Sequence, residues 1–231
     1  MHRSKNGLVF ILITVLIDCI GIRIIYPVIA SIVSEVSQVS INKAIIYSGW
    51  MMASYALMQF IFSPILGGLS DRYGRRPILL LSLLGLGIDY LFLAVATSLP
   101  FLFIGRIIAG ICGASFTTSF AYVADISKPQ DRAQNFGMIG AAMGLGFIIG
   151  PFIGGLLSEY GTRIPFVAAA CLSLLNLLYG FFILPESLQP ENRRAFSMKR
   201  ANLFAGFVKI KKNESLFLLI ILLFIIFIAG Q

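Results

Sequence analysis

Four ionisable side chains lie inside long apolar runs of this 231-residue sequence: Asp18, Arg23, Asp89 and Arg106. An ionised group at the centre of a bilayer costs at least about 2.5–3.5 kcal/mol on insertion scales, so such groups usually pair or line water-filled cavities. Because desolvation favours the neutral carboxyl, Asp89, near the middle of its run, is expected to bind and release a proton. Proton binding at a buried acid and a purely structural ion-pair network are the two interpretations of this pattern.

Two polar residues within the runs are candidates for contacting a small molecule. The amide of Gln59 could reach the oxygen atoms of a solute, and a helix–helix hydrogen bond is the alternative. Arg23 lies five positions after Asp18, about 140° around a helix, so a direct pair between these two is not assured. Its guanidinium could extend towards the membrane surface or project into a cavity.

A charge cluster lies between the second and third apolar runs. It places one acid, Asp71, beside three arginines, and Gly74 permits a tight turn there. Such a cluster can hold one conformational state closed and release it when a partner helix moves. Charges that only set the orientation of the loop, with a turn, are the alternative. The residues of this candidate gating loop are Gly67, Asp71, Arg72, Gly74, Arg75 and Arg76.

Glycines recur along the fifth apolar run. Three of them are spaced four residues apart, so they share one helix face that a neighbouring backbone can approach closely. Pro151 cannot donate a hydrogen bond to the carbonyl of Phe147, which predicts a bend. A bent helix with a glycine face could rock against its partner or seal a path, and simple tight packing is the alternative. The series consists of Gly137, Gly146, Gly150, Pro151, Gly154 and Gly155.

The composition requires a membrane to position these groups. Apolar residues make up 58% of the chain and charged residues 12%, about half the usual charged share of soluble domains. This excludes a soluble enzyme, a disordered tail and a disulfide-stapled secreted domain. The three cysteines are isolated, and neither a nucleophile–base pair nor a metal or phosphate-binding motif is present in the sequence, so we expect no enzymatic activity.

Runs of about 20 apolar residues predict six membrane-spanning helices. A seventh run begins near Leu216 and reaches the last residue, Gln231. We therefore divide the chain into a six-span bundle (1–184), a basic cytoplasmic loop (185–214) and a truncated seventh helix (215–231). The predicted spans are Gly7–Ala30, Ala44–Leu66, Pro77–Thr97, Phe101–Val123, Asn135–Leu157 and Ile164–Leu184.

The net charge of +8 is a topology signal. Of the 18 basic residues, 14 fall on one side of the predicted spans, two on the other and two within them. The positive-inside rule places the N-terminus and the basic loop in the cytoplasm, with the lipid bilayer as the surrounding partner. Because topology accounts for the basic excess, nucleic acid is not an expected partner.

An internal repeat appears when the sequence is shifted by 87 residues. Seven of the fourteen positions from Ser63 to Arg76 are identical to those from Gly150 to Arg163. Each repeat therefore holds three spans, and because three is odd the copies enter the membrane from opposite sides. Inverted three-helix repeats are a transporter architecture, with the binding sites near mid-membrane.

With these motifs, the chain resembles the major facilitator superfamily, and within it the proton-coupled drug antiporters of the tetracycline efflux type. The charge cluster matches the loop signature of the superfamily, and the series from Gly137 to Gly155 matches the antiporter signature at every fixed position. Further matches are Tyr55-Ala56-Leu57-Met58-Gln59, Asp89-Tyr90, Asp18 with Gly21 and Pro27, and Gly105-Arg106.

The resemblance implies an all-α fold, the six-helix N-terminal bundle of the superfamily, followed by a partial seventh helix. It implies efflux of a small amphipathic drug such as tetracycline in exchange for protons across the bacterial inner membrane, with Asp18, Asp89 and Arg106 as proton-coupling residues. No cofactor is expected, since the proton gradient supplies the energy and a divalent cation would arrive only as a drug chelate. Arg23 departs from the small or apolar residue expected at its place, which puts tetracycline itself in doubt.

Length leaves the function open in one respect. Members of the superfamily have twelve spans in two halves, and this sequence supplies the first half. Three hypotheses follow: an antiporter that works with an unseen second half or a second copy of itself, a non-transporting remnant, and a transporter of another small solute.

Overall fold

The computed structural model describes residues 2–113, 115–197, 217–219 and 222. The regular structure of these residues is helical, with two single 3-10 turns at Pro129–Asp131 and Pro190–Asn192. The predicted seventh span lies almost wholly outside the described residues, as does the predicted cytoplasmic loop beyond residue 197, so this domain division stays a prediction. The helices are α1 His2–Ile24, α2 Ile29–Ser37, α3 Ile41–Tyr73, α4 Arg75–Val95, α5 Leu99–Cys112, α6 Ser115–Ile126, α7 Arg132–Ser158 and α8 Ile164–Ile183.

All six predicted spans are confirmed as helical segments long and apolar enough to cross a membrane. Two of them differ from the sequence pattern. The first is shorter than predicted: it lies in α1, which ends at Ile24 before Pro27, whose missing N–H interrupts the helical ladder, and α2 begins at Ile29. The fourth span consists of α5 and α6, which are separated at Gly113. By contrast, α7 stays helical through Pro151, and α3 does so through Pro64.

The packing of the helices follows the predicted inverted repeat. The first span packs mainly on the fifth (α1 on α7), and the second packs mainly on the fourth (α3 on α5). The 87-residue shift turns the first span into the fourth and the second into the fifth, so it exchanges these two interfaces. The third and sixth spans, α4 and α8, pack on each other and exchange places under the same shift.

Individual contacts obey the same exchange. The Arg76 side chain donates to the Phe181 carbonyl at 2.5 Å, and the Arg163 side chain donates to the Ala94 carbonyl at 2.9 Å. The shift converts each of these bonds into the other. Gly74 and Gly161, also equivalent, both have positive φ, at 108° and 141°. The two halves of the bundle are therefore built on one three-helix plan.

Glycines bring α1 and α7 into backbone contact. A Cβ atom on Gly146 would lie 3.1 Å from the Leu16 carbonyl oxygen, and one on Gly150 would lie 3.0 Å from the Ile20 carbonyl oxygen. A Cβ atom on Gly154 would overlap the carbonyl oxygen of Ile24. These three residues therefore form the close-approach face that their spacing predicts.

This packing predicts that Gly154→Ala destabilises the bundle while Gly155→Ala does not. The new methyl group at residue 154 would meet backbone of α1 that cannot move aside, whereas a Cβ atom at residue 155 meets no atom within 4 Å. Overpacking of this kind costs about 1–3 kcal/mol, and alanine is the better helix former at both positions. Thermal unfolding of the detergent-solubilised chain measures the difference, and equal stability of the two variants would contradict the packing argument.

Candidate functional site

A buried ion pair joins the third and fourth spans. Asp89 of α4 and Arg106 of α5 have side chains that are 0% and 3% exposed, and Arg106 Nε donates to Asp89 Oδ1 at 3.2 Å. A second contact joins Arg106 Nη2 to Asp89 Oδ2. The neighbouring Gly105 makes room, since a Cβ atom there would lie 2.9 Å from Asp89 Oδ1. Protonation of Asp89 would remove one charge of the pair and leave the other buried without compensation.

Asp18 lies in α1 at the centre of the bundle and is not part of that pair. Its side chain is buried, and neither carboxylate oxygen completes a hydrogen bond of good geometry with the described residues. The Ser115 side chain lies within interaction range of the carboxyl, and Tyr55 and Tyr90 are electrostatic neighbours. Among the described residues, Arg106 forms its ion pair with Asp89 and not with Asp18.

Arg23 is held by aromatic rings. Its guanidinium carbon lies 4.8 Å from the ring centroid of Tyr26 and 4.1 Å from that of Phe147 on α7. Within the described part of the chain, the Arg23 side chain forms neither an ion pair nor a hydrogen bond. The pair with Asp18 that sequence spacing left open is therefore not formed, and cation–π contacts hold this charge instead.

Gln59 makes the helix–helix hydrogen bond that was the simpler of its two interpretations. Its side-chain amide donates to the Gly113 carbonyl at 2.9 Å, at the interruption between α5 and α6. That carbonyl is one of the groups that a helix end leaves without an internal partner. Gln59 also lines an open cleft of about 650 Å³ beside Phe60 and Pro64, and Tyr55, one turn away, places its ring 5.5 Å from the Arg106 guanidinium.

The charge cluster is a network centred on Arg75. Arg75 is buried and contacts Asp71 at 2.6 Å, Asp125 of α6 at 3.1 Å and the Ser70 hydroxyl at 2.6 Å. Gly74, with φ of 108°, turns the chain sharply between α3 and α4. Asp125 of α6 is therefore one partner of this cluster within the bundle.

Glu186 completes the network from the other side. Its carboxylate accepts hydrogen bonds from the backbone N–H groups of Arg75 (2.8 Å), Arg76 (3.2 Å), Ser187 (3.0 Å) and Leu188 (3.1 Å). The first two of these groups are at the start of α4, where helix N–H groups lack internal partners and an anion is stabilised. Glu186 thus ties the segment after the sixth span to the loop between the second and third.

The remaining predicted residues differ in what they contact. Arg72 stacks on the neighbouring Tyr73 ring at 5.0 Å. Cβ atoms on Gly67, Gly137 or Gly155 would meet no atom within 4 Å, so tight packing within this bundle does not explain these three glycines.

Sequence reasoning missed Asp125, Glu186 and Ser115. Asp125 and Glu186 stand just beyond predicted spans, where a polar residue needs no special explanation, and Ser115 has no distinguishing neighbour in the sequence. The repeat does not identify them either, because the positions 87 residues away from these three residues hold no acid. Among the described residues, no group of three His, Cys, Asp or Glu side chains is arranged to hold a metal ion.

Comparison with known proteins identifies the fold family. The family model described as Major Facilitator Superfamily matches residues 11–231. The chain is 42% identical to the class C tetracycline resistance protein of Escherichia coli and 40% identical to the class H protein of Pasteurella multocida, with 99% of this chain covered in each case. It covers 57% and 56% of these two proteins, so it spans about half the length of the curated relatives it matches.

A solved structure gives the same result in three dimensions. The crystal structure of the human organic anion transporter MFSD10 (TETRAN) superimposes with a TM-score of 0.73 and 25% sequence identity. The alignment covers 84% of this chain and 50% of that one. From the family match, the identities and the shared architecture, the chain belongs to the major facilitator superfamily.

Proposed function

We propose that this bundle is half of a proton-coupled exporter of a small amphipathic drug, with tetracycline as the first candidate. The relatives that are 40–42% identical are tetracycline resistance proteins, which supports this substrate class. The observation that carries the proposal is the Asp89–Arg106 pair beside the isolated Asp18, all within apolar spans. Charges this costly at mid-membrane are typical of proton relays in transporters.

The coupling step follows from this arrangement. With Asp89 ionised, the pair holds α4 against α5; when the carboxyl binds a proton, Arg106 loses its counter-charge and the contact weakens. Because α5 also packs on α3, this weakening reaches the helix that carries Tyr55 and Gln59. A proton can therefore bias the bundle between two packings, as alternating access requires.

The network around Arg75 is the proposed gate. It joins the end of α3, the start of α4, the end of α6 and the segment after α8 through Arg75 and three carboxylates, those of Asp71, Asp125 and Glu186. We place this end of the bundle, and the N-terminus, in the cytoplasm of a bacterial cell because the basic residues concentrate there. Closure of this end would then require the network to be intact.

The second half of the transport path would pack on α3 and α7. These two spans are the least buried of the six. In the 18-residue apolar stretch of each, only 6% and 17% of the residues are buried within the bundle. They are also equivalent in the repeat, so one symmetric partner can cover both. A second half-transporter and a second copy of this chain are the two candidate partners.

Arg23 supports a second candidate substrate class, a solute with an anionic group. Its guanidinium lies between two aromatic rings and keeps its N–H donors available within the described residues. The solved neighbour described as an organic anion transporter is consistent with this class. Arginine presents a fork of N–H groups that matches a carboxylate.

The coupling proposal predicts that Asp89→Asn abolishes drug-driven proton movement. In vesicles containing the purified chain and a trapped pH-sensitive dye, adding drug to the wild type should change the internal pH. In the variant, the drug-driven change in internal pH should be at least about tenfold smaller, because the proton-binding carboxyl is gone. Since Asp89→Asn leaves Arg106 unpaired, the double variant with Arg106→Gln keeps the site neutral and shows whether the loss persists when the fold is preserved.

Two results would count against this proposal. If the double variant responded like the wild type, Asp89 would not be the coupling group. If folded wild-type protein gave no response, the chain would be a non-transporting remnant or would need a separate partner, and adding the second half would distinguish these.

The gate predicts that Glu186→Gln opens the network at the start of α4. Removing the charge weakens four hydrogen bonds to one carboxylate, and bonds to charged groups contribute about 1.5–3 kcal/mol. Hydrogen–deuterium exchange should quicken at least about tenfold at the amides of residues 75, 76, 187 and 188. The matched control is Glu191→Gln, because Glu191 is an exposed carboxylate a few residues away. Equal exchange in both variants would overturn the role of Glu186 in the gate.

The second substrate class predicts that Arg23→Gln selectively weakens inhibition by anionic competitors. In the same vesicle assay, the potency of a carboxylate-bearing drug should fall about tenfold, the effect of removing one charged hydrogen-bond partner. A neutral drug of similar size should compete as before. Equal losses for both drugs would show that Arg23 only supports the packing of α1 on α7.

A further inference from the structure

A row of buried hydroxyl groups lies along one face of α6. Ser115, Thr118, Ser119 and Tyr122 recur at three- and four-residue spacing, so they share this face, and each is at most 1% exposed. The helix packs on α4 and α1. Among the described residues, the hydroxyls of Thr118 and Ser119 have no hydrogen-bond partner, and the polar neighbour of the Ser115 hydroxyl is the Asp18 carboxyl.

The row begins at Asp18. The Ser115 side chain lies within interaction range of the Asp18 carboxyl. Seven residues later, Tyr122 stands against the other end of α1, since a Cβ atom on Gly7 would lie 2.7 Å from its hydroxyl oxygen. At 1.5 Å per residue, the backbone between Ser115 and Tyr122 covers about 10 Å of membrane depth, and the tyrosine ring extends this reach.

The row ends at a polar cavity. Tyr122 donates to the Pro185 carbonyl at 2.9 Å and lines an open cavity of about 880 Å³ at the arginine-rich end of the bundle. Asp125 and Glu186 line the same cavity. The hydroxyls therefore connect an acid at the centre of the bundle with acids at its surface.

The hydroxyls of Thr118 and Ser119 do not use the acceptor that is common for helix hydroxyls. Serine and threonine inside a helix often donate to a carbonyl one turn back, as Ser48 does to the Ala44 carbonyl at 2.8 Å. At the Tyr122 end of the row the neighbours are apolar, with Ile11, Val15 and Leu79 in the same buried cluster as Tyr122. Buried hydroxyls of this kind are normally satisfied by ordered water.

We propose that the buried face of α6 is a proton pathway, in which Ser115, Thr118 and Ser119 hold a chain of water between Asp18 and the cavity at Tyr122. This inference rests on the proposed function, because it gives the proton of Asp18 a route to one membrane surface. Hydroxyls and water both donate and accept, so each member takes one proton and passes on another. One O–H bond breaks at the Asp18 carboxyl, and one forms on an acceptor that lines the cavity. Each hydroxyl and water between them ends with as many protons as it had at the start.

The other ionisable groups near Asp18 lie off this route. Tyr90 of α4 places its hydroxyl against Gly21, where a Cβ atom would lie 2.8 Å away, and Gly21 is on the opposite side of Asp18 from Gly7. Tyr55 of α3 contacts the Arg106 guanidinium. Cys19 faces the glycines of α7, since a Cβ atom on Gly146 would overlap its own.

The test follows the protonation rate of Asp18 in the full chain reconstituted in vesicles. A pH step is applied, and the carbonyl stretch of the protonated carboxyl is followed by time-resolved infrared spectroscopy, with Asp18→Asn identifying the band. The double variant Thr118→Val with Ser119→Ala removes two hydroxyls at nearly constant volume. Ser173→Ala is the matched control, because Ser173 is buried in α8 and its hydroxyl donates to the Leu83 carbonyl at 3.0 Å.

The expected result is that protonation of Asp18 slows about tenfold in the double variant. The physical reason is that loss of the two hydroxyls raises the activation free energy of one proton-transfer step. Ser173→Ala should keep the wild-type rate, and Thr118→Ser should restore much of the rate when it replaces Thr118→Val. An unchanged rate in the double variant, or an equal slowing in Ser173→Ala, would overturn the pathway while leaving Asp18 a proton carrier. A missing Asp18 band would overturn both the pathway and the role of Asp18 in coupling.

Discussion

The cost of burying charge in a medium without water governs the arrangement of this bundle. Asp89 and Arg106 are both almost fully buried within apolar spans, and each is tolerated because the other neutralises it. Other features accommodate this pair: Gly105 leaves space for the carboxylate, and Tyr55 presents its ring to the guanidinium. In the proposed function this contact is the point at which a proton acts on the bundle, because each charge is uncompensated once the other is neutralised.

The inverted repeat builds the bundle around two equivalent helix interfaces. Spans one and five pack through glycines against backbone, spans two and four pack through Gly110 against the Tyr55 carbonyl, and the 87-residue shift exchanges the two interfaces. Because interfaces of this kind are close-packed, they favour discrete arrangements over continuous deformation. The Asp89–Arg106 pair joins the third span of one repeat to the fourth span of the other, so a change at this pair acts on the contact between the two repeats.

Two regions of the bundle use carboxylates in different ways. At the arginine-rich end, Asp71, Asp125 and Glu186 share Arg75 and the N–H groups at the start of α4, so their charges are satisfied by protein. In the centre, Asp18 lacks such partners. The surface network is suited to holding a conformation and the isolated acid to exchanging a proton. The hydroxyls of α6 lie between the two.

The sequence by itself determined the class of protein, the six spans, the repeat and the burial of Asp18, Asp89 and Arg106, because hydropathy, charge placement and glycine spacing are local properties that a bilayer constrains strongly. It did not show that Arg75 is buried or that Arg23 is only half-buried. Only the tertiary structure decided which partners those groups have. Arg106 pairs with Asp89, Arg23 lies between aromatic rings, and Glu186 closes a network 111 residues from Arg75. Pairing depends on the rotation and depth of whole helices, which packing sets collectively and no local pattern encodes.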